Sequence, residues 1–363
     1  MDYKVSRSIL VLGASYGLVL GLKAAHSGHR VHFVCREHEV ELINAGKAYL
    51  RLPSKTDGSV VTLSAEKAQC KPAAYTPEDL PNLDYDLCVL AMQEPQFSSP
   101  ELTQLVAEIG KANIPLLSIM NMPLPIFLKG KVAFSVDELS GVWQSISAWQ
   151  WLDATRFSAA SPDPQAMMIQ NSDALSVHVN HAANIKVAPF ANTNDQQVLI
   201  DLAQSIDGLR VQQNGKMHQL GMRLVAHSNE LVSMAKWPML ITGNFRCWTS
   251  QGPVSIADAV HSDLDQSRLV YEWVGNLCAG LASEANLPSP PLVSFERYAQ
   301  AAKSLTLPSS LARGLAAGAT RVERVDLLLQ GLASQRGMAS PQLSIIVDSV
   351  NDALKYNSLK ATS

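Results

Sequence analysis

The chain has no block of basic residues, no long uninterrupted apolar run and no paired cysteines. Of its 363 residues 17% are charged, with 29 Lys and Arg against 32 Asp and Glu, for a formal net charge of −3. Such a balance offers a phosphate backbone little to hold, so nucleic acid is not expected as a partner. The apolar stretch Ile9 to Leu22 is interrupted by Gly13, Gly17 and Gly21 and is too short to span a bilayer. It is not a secretory leader either, because a small-residue cleavage site after a basic start is missing. The five cysteines, Cys35, Cys70, Cys88, Cys247 and Cys278, are scattered, odd in number and never spaced C-x-x-C. Free thiols in a reducing, cytoplasmic compartment are therefore expected. His26, His29, His32 and His38 are close in sequence, but no single element would present them together, so no metal centre is expected.

What is present is a chain that is 47% hydrophobic and long enough for two cores. Ile9 to Leu12 reads as a buried strand, Tyr16 to Ser27 as a helix, Gly28-His29 as a turn and Arg30 to Cys35 as a second strand. Further strands are predicted at Val60 to Ser64, Asp86 to Ala91, Pro115 to Met120 and Leu175 to Val179. Helical patterns at Glu37 to Ala45 and Pro100 to Lys111 lie between them, an alternation that implies a parallel sheet with both faces covered. After about Asn192 the segments 195–206, 217–236, 254–285, 293–305, 309–332 and 340–356 all read as helices, separated by breakers such as Pro288 to Pro291 and Leu307-Pro308. The expected organisation is an α/β domain over 1–192 and an all-helical domain over 193–363. Residues 130–172, with Trp143, Trp149, Trp151 and the stretch Ser161 to Gln165, fit neither texture and read as an insertion or an elaborated last crossover.

The first strand runs into Gly13-Ala14-Ser15-Tyr16-Gly17, one residue short of G-x-G-x-x-G. In a dinucleotide fold the first glycine makes the turn, the second admits the pyrophosphate and the third lets helix pack on strand. Gly13 suits the first task, Ser15 the second and Gly17 the third, with the helix N-terminus offering its free amides to phosphate. An NAD site usually places Asp or Glu at the end of the second strand, about 20 residues on. This chain has Cys35-Arg36 there, and a guanidinium suits the 2′-phosphate of NADP(H). The alternative is a surface arginine paired with Glu37 or Glu39.

The order Gly13 to Gly17, Gly28-His29-Arg30-Val31 and Arg36 resembles the opening of the ketopantoate reductase (2-dehydropantoate 2-reductase) family, among the 6-phosphogluconate dehydrogenase-like oxidoreductases. The family's V-K-A-x-Q-like segment corresponds to Leu90 to Gln96, with Gln93 at the lysine position. Its strand ending in N-G corresponds to Ser118 to Met122, which keeps Asn121. Its catalytic-lysine helix best matches Gln219 to His227, giving Arg223 and His227. Its C-terminal motifs match Pro308 to Leu311 and Arg321 to Asp326, followed by Gly331. The resemblance implies a Rossmann-type doubly wound parallel sheet followed by an all-helical domain for substrate binding and dimerisation. It also implies NADP(H) as cofactor and hydride transfer to a small carbonyl compound such as a 2-keto acid.

The residues expected to bind cofactor are Gly13, Ala14, Ser15, Tyr16, Gly17, Arg36, Gln93 and Asn121. Those expected to act in catalysis are Arg223, His227, Asn121 and Glu323, with Ser310 and Lys236 on the substrate, which is expected in the cleft between the domains. Arginine is a poor proton donor, but Arg223 suits an oxyanion, and His227, one turn later on a helix, suits proton supply. Lys236 would lie roughly 20 Å beyond Arg223 on one helix. Three plain alternatives stand beside these readings: Arg223 as a surface residue, His227 in a core, and Ser309-Ser310 as a helix cap. Two rival functions also stand, an opine-dehydrogenase-like imine reduction and a non-catalytic nucleotide sensor. A short-chain dehydrogenase is excluded, because the chain's one Tyr-x-x-x-Lys pair, Tyr356 and Lys360, lies at the C-terminus.

Overall fold

In the computed structural model, which describes residues 5–135, 137–139, 141–162 and 165–361, the first apolar residues form β1 (Ser8–Leu12). They are followed by α1 (Gly17–His26), β2 (Arg30–Val34) and α2 (Glu37–Asn44). Next come β3 (Ala48–Pro53), β4 (Val60–Ser64), β5 (Ala73–Tyr75) and β6 (Leu87–Leu90). Then follow α3 (Pro100–Lys111), β7 (Leu116–Ser118), α4 (Pro125–Lys129) and β8 (Phe157–Pro162). β9 (Ala166–Gln170), β10 (Leu175–Val179), β11 (Ala183–Val187) and α5 (Thr193–Gly208) lead to β12 (Arg210–Gln213), β13 (Lys216–Gln219) and β14 (Met222–Ala226).

The main sheet has the order β14-β11-β8-β7-β6-β1-β2-β5. From β5 to β8 all neighbours are parallel, and the chain reverses direction across the sheet between β1 and β6. This is the doubly wound dinucleotide-fold order, whose ligand crevice lies outside the carboxyl ends of the strands at that reversal. From Ile9 onward β1 is apolar and buried, as is all of β6, which fits strands covered on both faces. Of the two readings of 130–172, an insertion or an elaborated last crossover, the pairing of β8 in parallel with β7 favours the second, with β8 following that crossover. In that crossover Trp149 packs at a tilt of 59° against Phe97, with ring centres 5.0 Å apart. Asp163 and Pro164 lie outside the described residues. β3, β4, β9 and β10 form a separate sheet of order β4-β3-β10-β9.

The all-helical reading from residue 193 changes most over 210–228. Arg210–Gln213 and Lys216–Gln219 are a hairpin whose turn, Asn214-Gly215, has φ of 52° and 75°. β14 then pairs with β11, with Met222 and Leu224 buried and Arg223 outward. The first compact unit accordingly comprises the described residues up to Met92, Gln96–Phe127 and Ser145–Ser228, past the boundary expected at 192. The second comprises Gln93–Pro95, Leu128–Gln144 and the described residues from Asn229 onward. It is mainly helical. An irregular helical stretch over 232–247 contains α6 (Trp237–Met239) and precedes α7 (Ile256–His261), α8 (Leu264–Glu284), α9 (Phe295–Ala302), α10 (Ser310–Ala316), α11 (Val325–Ser334) and α12 (Pro341–Ala361). No helix among the described residues is long and apolar enough to cross a membrane.

Packing of α1 on the sheet depends on small residues. A Cβ at Gly17 would lie 2.6 Å from Val11, and one at Gly21 would lie 2.7 Å from Phe33 Cε1, with Phe33 Cζ closer still. At Gly21 the crowding of Phe33 outweighs the gain in helix propensity. Gly21→Ala should therefore destabilise the protein by about 1 kcal/mol, lowering the urea midpoint at an unchanged m-value.

Candidate active site

The carboxyl edge of the wound sheet gathers four loops of the first unit. After β1 the chain turns at Gly13, whose φ is 107° and whose amide donates to the Val34 carbonyl at 2.8 Å. A Cβ there would meet Met92 Cγ at 2.5 Å and the Ala91 oxygen at 3.1 Å, so only glycine fits. Ala14 is buried, Ser15 exposed and Tyr16 half-buried ahead of the first turn of α1. No side chain among the described residues caps α1, and its first turn carries no acid. The helix dipole and the absence of an acid suit an anion at this end in charge, with the Leu18 and Val19 amides already donating to the Ala14 and Tyr16 carbonyls. Asn121, three residues past β7, sits at the same edge, with its buried Oδ1 accepting no hydrogen bond among the described residues.

At the end of β2, Arg36 is the N-cap of α2. Its NH2 donates to Glu39 Oε1 at 2.7 Å, and its backbone amide donates to Glu39 Oε2 at 3.1 Å. The Arg36 side chain is 73% exposed, whereas that of Glu39 is 6% exposed. The surface pairing weighed as an alternative therefore exists, and it leaves the outer donors of the guanidinium toward solvent.

A second group of side chains belongs to the second unit. Glu323, just before α11, accepts a hydrogen bond at 3.3 Å from the backbone amide of Glu94, and both glutamates are buried. Burial pushes the Glu323 carboxyl from 4.5 up to about 7. The Glu94 amide works against this, the Glu94 carboxylate adds to it, and the Lys236 ammonium opposes it. Lys236 ends a 3-10 turn, Val232–Lys236, which continues into α6. A carboxyl able to hold or release a proton near neutral pH thus lies in the field of a lysine, a pairing suited to general acid–base chemistry.

Arg223 and His227 do not lie on one helical face. Arg223 is on β14, with Nε and NH2 on Asp207 at 2.8 and 3.0 Å, and His227 follows the strand, its amide donating to Val187. Four residues of extended chain separate them by about 13 Å rather than one helical turn, and the Arg223 guanidinium is engaged by Asp207. The helical distance expected between Arg223 and Lys236 likewise fails, because strand and loop intervene. Ser310 begins α10 and is exposed. Ser309 is the cap, accepting from the Ala312 amide and donating to the Asn244 carbonyl at 2.6 Å. Gln93 is exposed beyond β6. Glu94, its neighbour, was missed in the sequence. A charged residue directly after a buried strand and a short apolar turn was the available signal.

No protein-family model matches the sequence, and no curated protein matches it. Solved structures do resemble the fold. A ketopantoate reductase from Ralstonia eutropha JMP134 is 15% identical, with 97% of this chain and 99% of that chain covered at a TM-score of 0.64. A D-mandelate dehydrogenase, solved with NADH and anilino(oxo)acetate, is 10% identical, with 96% and 99% covered at 0.66. A dimeric ketopantoate reductase from Staphylococcus aureus is 11% identical, with 96% and 99% covered at 0.58. The fold is that of the ketopantoate reductases, and the resemblance found in the sequence motifs holds at that level.

The raised Glu323 carboxyl has a consequence for stability. The folded state binds this proton more tightly than the unfolded state, so the contribution is complete below pH 4.5 and is lost as pH rises through about 7. Unfolding free energy should fall by roughly 3 kcal/mol across that window on this account. Chemical denaturation of Glu323→Gln at a series of pH values should lack this component, making the variant comparatively more stable at and above neutral pH.

Proposed function

We propose that this protein is an NADPH-dependent reductase of a small carbonyl compound, of the 2-keto acid class. The observation that carries the reading is the buried Glu323 carboxyl in the field of Lys236, in a chain whose separate wound sheet has an uncapped, acid-free helix start behind Gly13. A bound reduced nicotinamide supplies hydride to a carbonyl carbon. Gly13, Ala14, Ser15, Tyr16 and Gly17 would hold the pyrophosphate, Arg36 the 2′-phosphate, and Gln93 and Asn121 the remainder of the coenzyme. Lys236 takes the proton-donor role assigned by resemblance to Arg223, since an ammonium gives up a proton where a guanidinium does not. Glu323, with Glu94 beside it, holds Lys236 charged and receives a substrate hydroxyl, and Ser310 contacts the substrate. His227 and Arg223 have no part in this scheme.

Support from similar folds is of two kinds. The D-mandelate dehydrogenase was solved with a nicotinamide coenzyme and an oxoacetate. The dimeric Staphylococcus aureus protein supports a homodimer here.

NADPH oxidation across a panel of 2-keto acids, with and without amines, tests the activity. Turnover with a keto acid alone supports it, turnover only with an amine present would favour imine reduction, and coenzyme binding without turnover would favour a sensor. Lys236→Met should lower kcat by about a hundredfold while leaving the NADPH Kd unchanged. Arg36→Ala should raise the KM for NADPH about tenfold with little change for NADH, and equal effects on both would remove the 2′-phosphate assignment.

A further inference from the structure

We propose that Glu39 sets the coenzyme preference by competing with the adenosine 2′-phosphate for Arg36. The inference rests on the reading of Arg36 given above and adds a residue that the motif at the end of β2 does not include.

The geometry is that of a helix cap turned to a second use. Arg36 has extended backbone (φ −69°, ψ 149°) and leads into α2, and Glu39 at the third helical position reaches back to its amide. That bond pins the carboxylate, which is almost wholly buried and cannot swing outward to follow the guanidinium. The other oxygen takes the Arg36 NH2. Of the five N–H donors of a guanidinium, the ones directed outward are left for a ligand, but the charge behind them is already balanced. A phosphate ester of charge near −2 arriving at the outer edge would meet the attraction of Arg36 and the repulsion of a fixed carboxylate one guanidinium-width behind it. The ribose hydroxyl of NADH carries no charge and is indifferent to that balance. Glu39 therefore weakens NADPH binding selectively, so the two coenzymes are discriminated less than Arg36 alone would allow.

Glutamine serves the same capping position, so Glu39→Gln keeps the bond to the Arg36 amide and removes only the charge. Calorimetric titration of the full chain with NADPH and with NADH reads the ratio of the two affinities. In Glu39→Gln the preference for NADPH over NADH should rise about tenfold, roughly the worth of one charge-assisted contact, with NADH affinity unchanged. In an Arg36→Ala background the same substitution should raise the ratio less than it does in the wild type, because only the direct repulsion is then relieved and no guanidinium is released, and Glu39→Asp, which keeps the charge, should retain the wild-type ratio. Urea midpoints equal to wild type establish that the variants are folded. An unchanged or lowered ratio in folded Glu39→Gln, where Arg36→Ala does lower it, would overturn the role of Glu39 alone. A ratio that Arg36→Ala fails to lower would overturn the role of Arg36 and this inference with it.

Discussion

At residue 13 the backbone passes so close to the end of β6 that a methyl group would collide with Met92 and with the Ala91 carbonyl, and it does so with a φ that side chains disfavour. Four and eight residues later, Gly17 and Gly21 bring α1 down onto Val11 and Phe33. Each glycine inside a helix costs about 0.5–1 kcal/mol relative to alanine, a cost accepted here because anything larger would lift α1 off the sheet. The first turn of α1 is thereby delivered to the point where strand order reverses. The far side of α1 is tied as well: Lys23, almost fully buried, donates to the Met222 carbonyl, and burial lowers its ammonium to about 7. Both ends of α1 are thus held against the sheet, so the position of its first turn is set by packing.

The carboxyl group of Glu323 obeys a different constraint. Two buried glutamates in one neighbourhood cannot both stay charged at low cost, and the amide of Glu94 is too weak a compensation to prevent the rise in the Glu323 carboxyl. By contrast, Asp326, three residues on and wholly buried, has a bidentate partner in Arg324 at 2.9 and 2.8 Å. Burial raises the Asp326 carboxyl too, but there the paired guanidinium opposes the rise through two hydrogen bonds. Within one short segment, two buried carboxyls thus differ in how they are compensated, one by a bidentate cation and the other by a single backbone amide.

Much of the wound sheet was legible because its elements are local and strongly patterned. Ser8–Leu12, Arg30–Val34 and Leu87–Leu90 fall where their apolar runs place them, as do Pro100–Lys111 between strands and Val60–Ser64 and Leu175–Val179 in the separate sheet. The wound order itself follows from strands alternating with helices. The failure over 217–236 is equally physical. Leu220, Met222, Leu224 and Ala226 alternate, yet read together with Met217 and Val225 they also populate a helical face, and the deciding marks were Asn214-Gly215 as a hairpin turn and Gly221 as a close approach. A Cβ at Gly221 would lie 2.6 Å from the Pro53 oxygen. Reading a helix there put Arg223 and His227 on one face and displaced attention from Lys236. The position of Glu94 just beyond a buried strand was legible, but its pairing was not, because it depends on Glu323, which lies 229 positions away in the chain.

The stretch that carries Lys236 is not built for stability. It passes from a 3-10 turn through one α-helical turn at Trp237–Met239 to a π turn at Leu240–Asn244 and back to 3-10. The carbonyls this irregularity displaces are met by side chains: Tyr298 donates to Met239 and Ser309 to Asn244 from outside the stretch, and Arg246 to Thr242 from within it. Ser233 Oγ, Trp237 Nε1 and Thr242 Oγ1 nevertheless stay buried with no hydrogen-bond partner among the described residues. Each such atom costs about 1–3 kcal/mol. A regular α-helix over the same residues would keep its own ladder intact and would need none of these repairs. Single π turns inside helices concentrate at functional positions, and local rules are broken where a protein trades stability for chemistry. The irregularity begins at the turn that carries Lys236, so the side chains that repair it also fix the backbone on which the proposed proton donor stands.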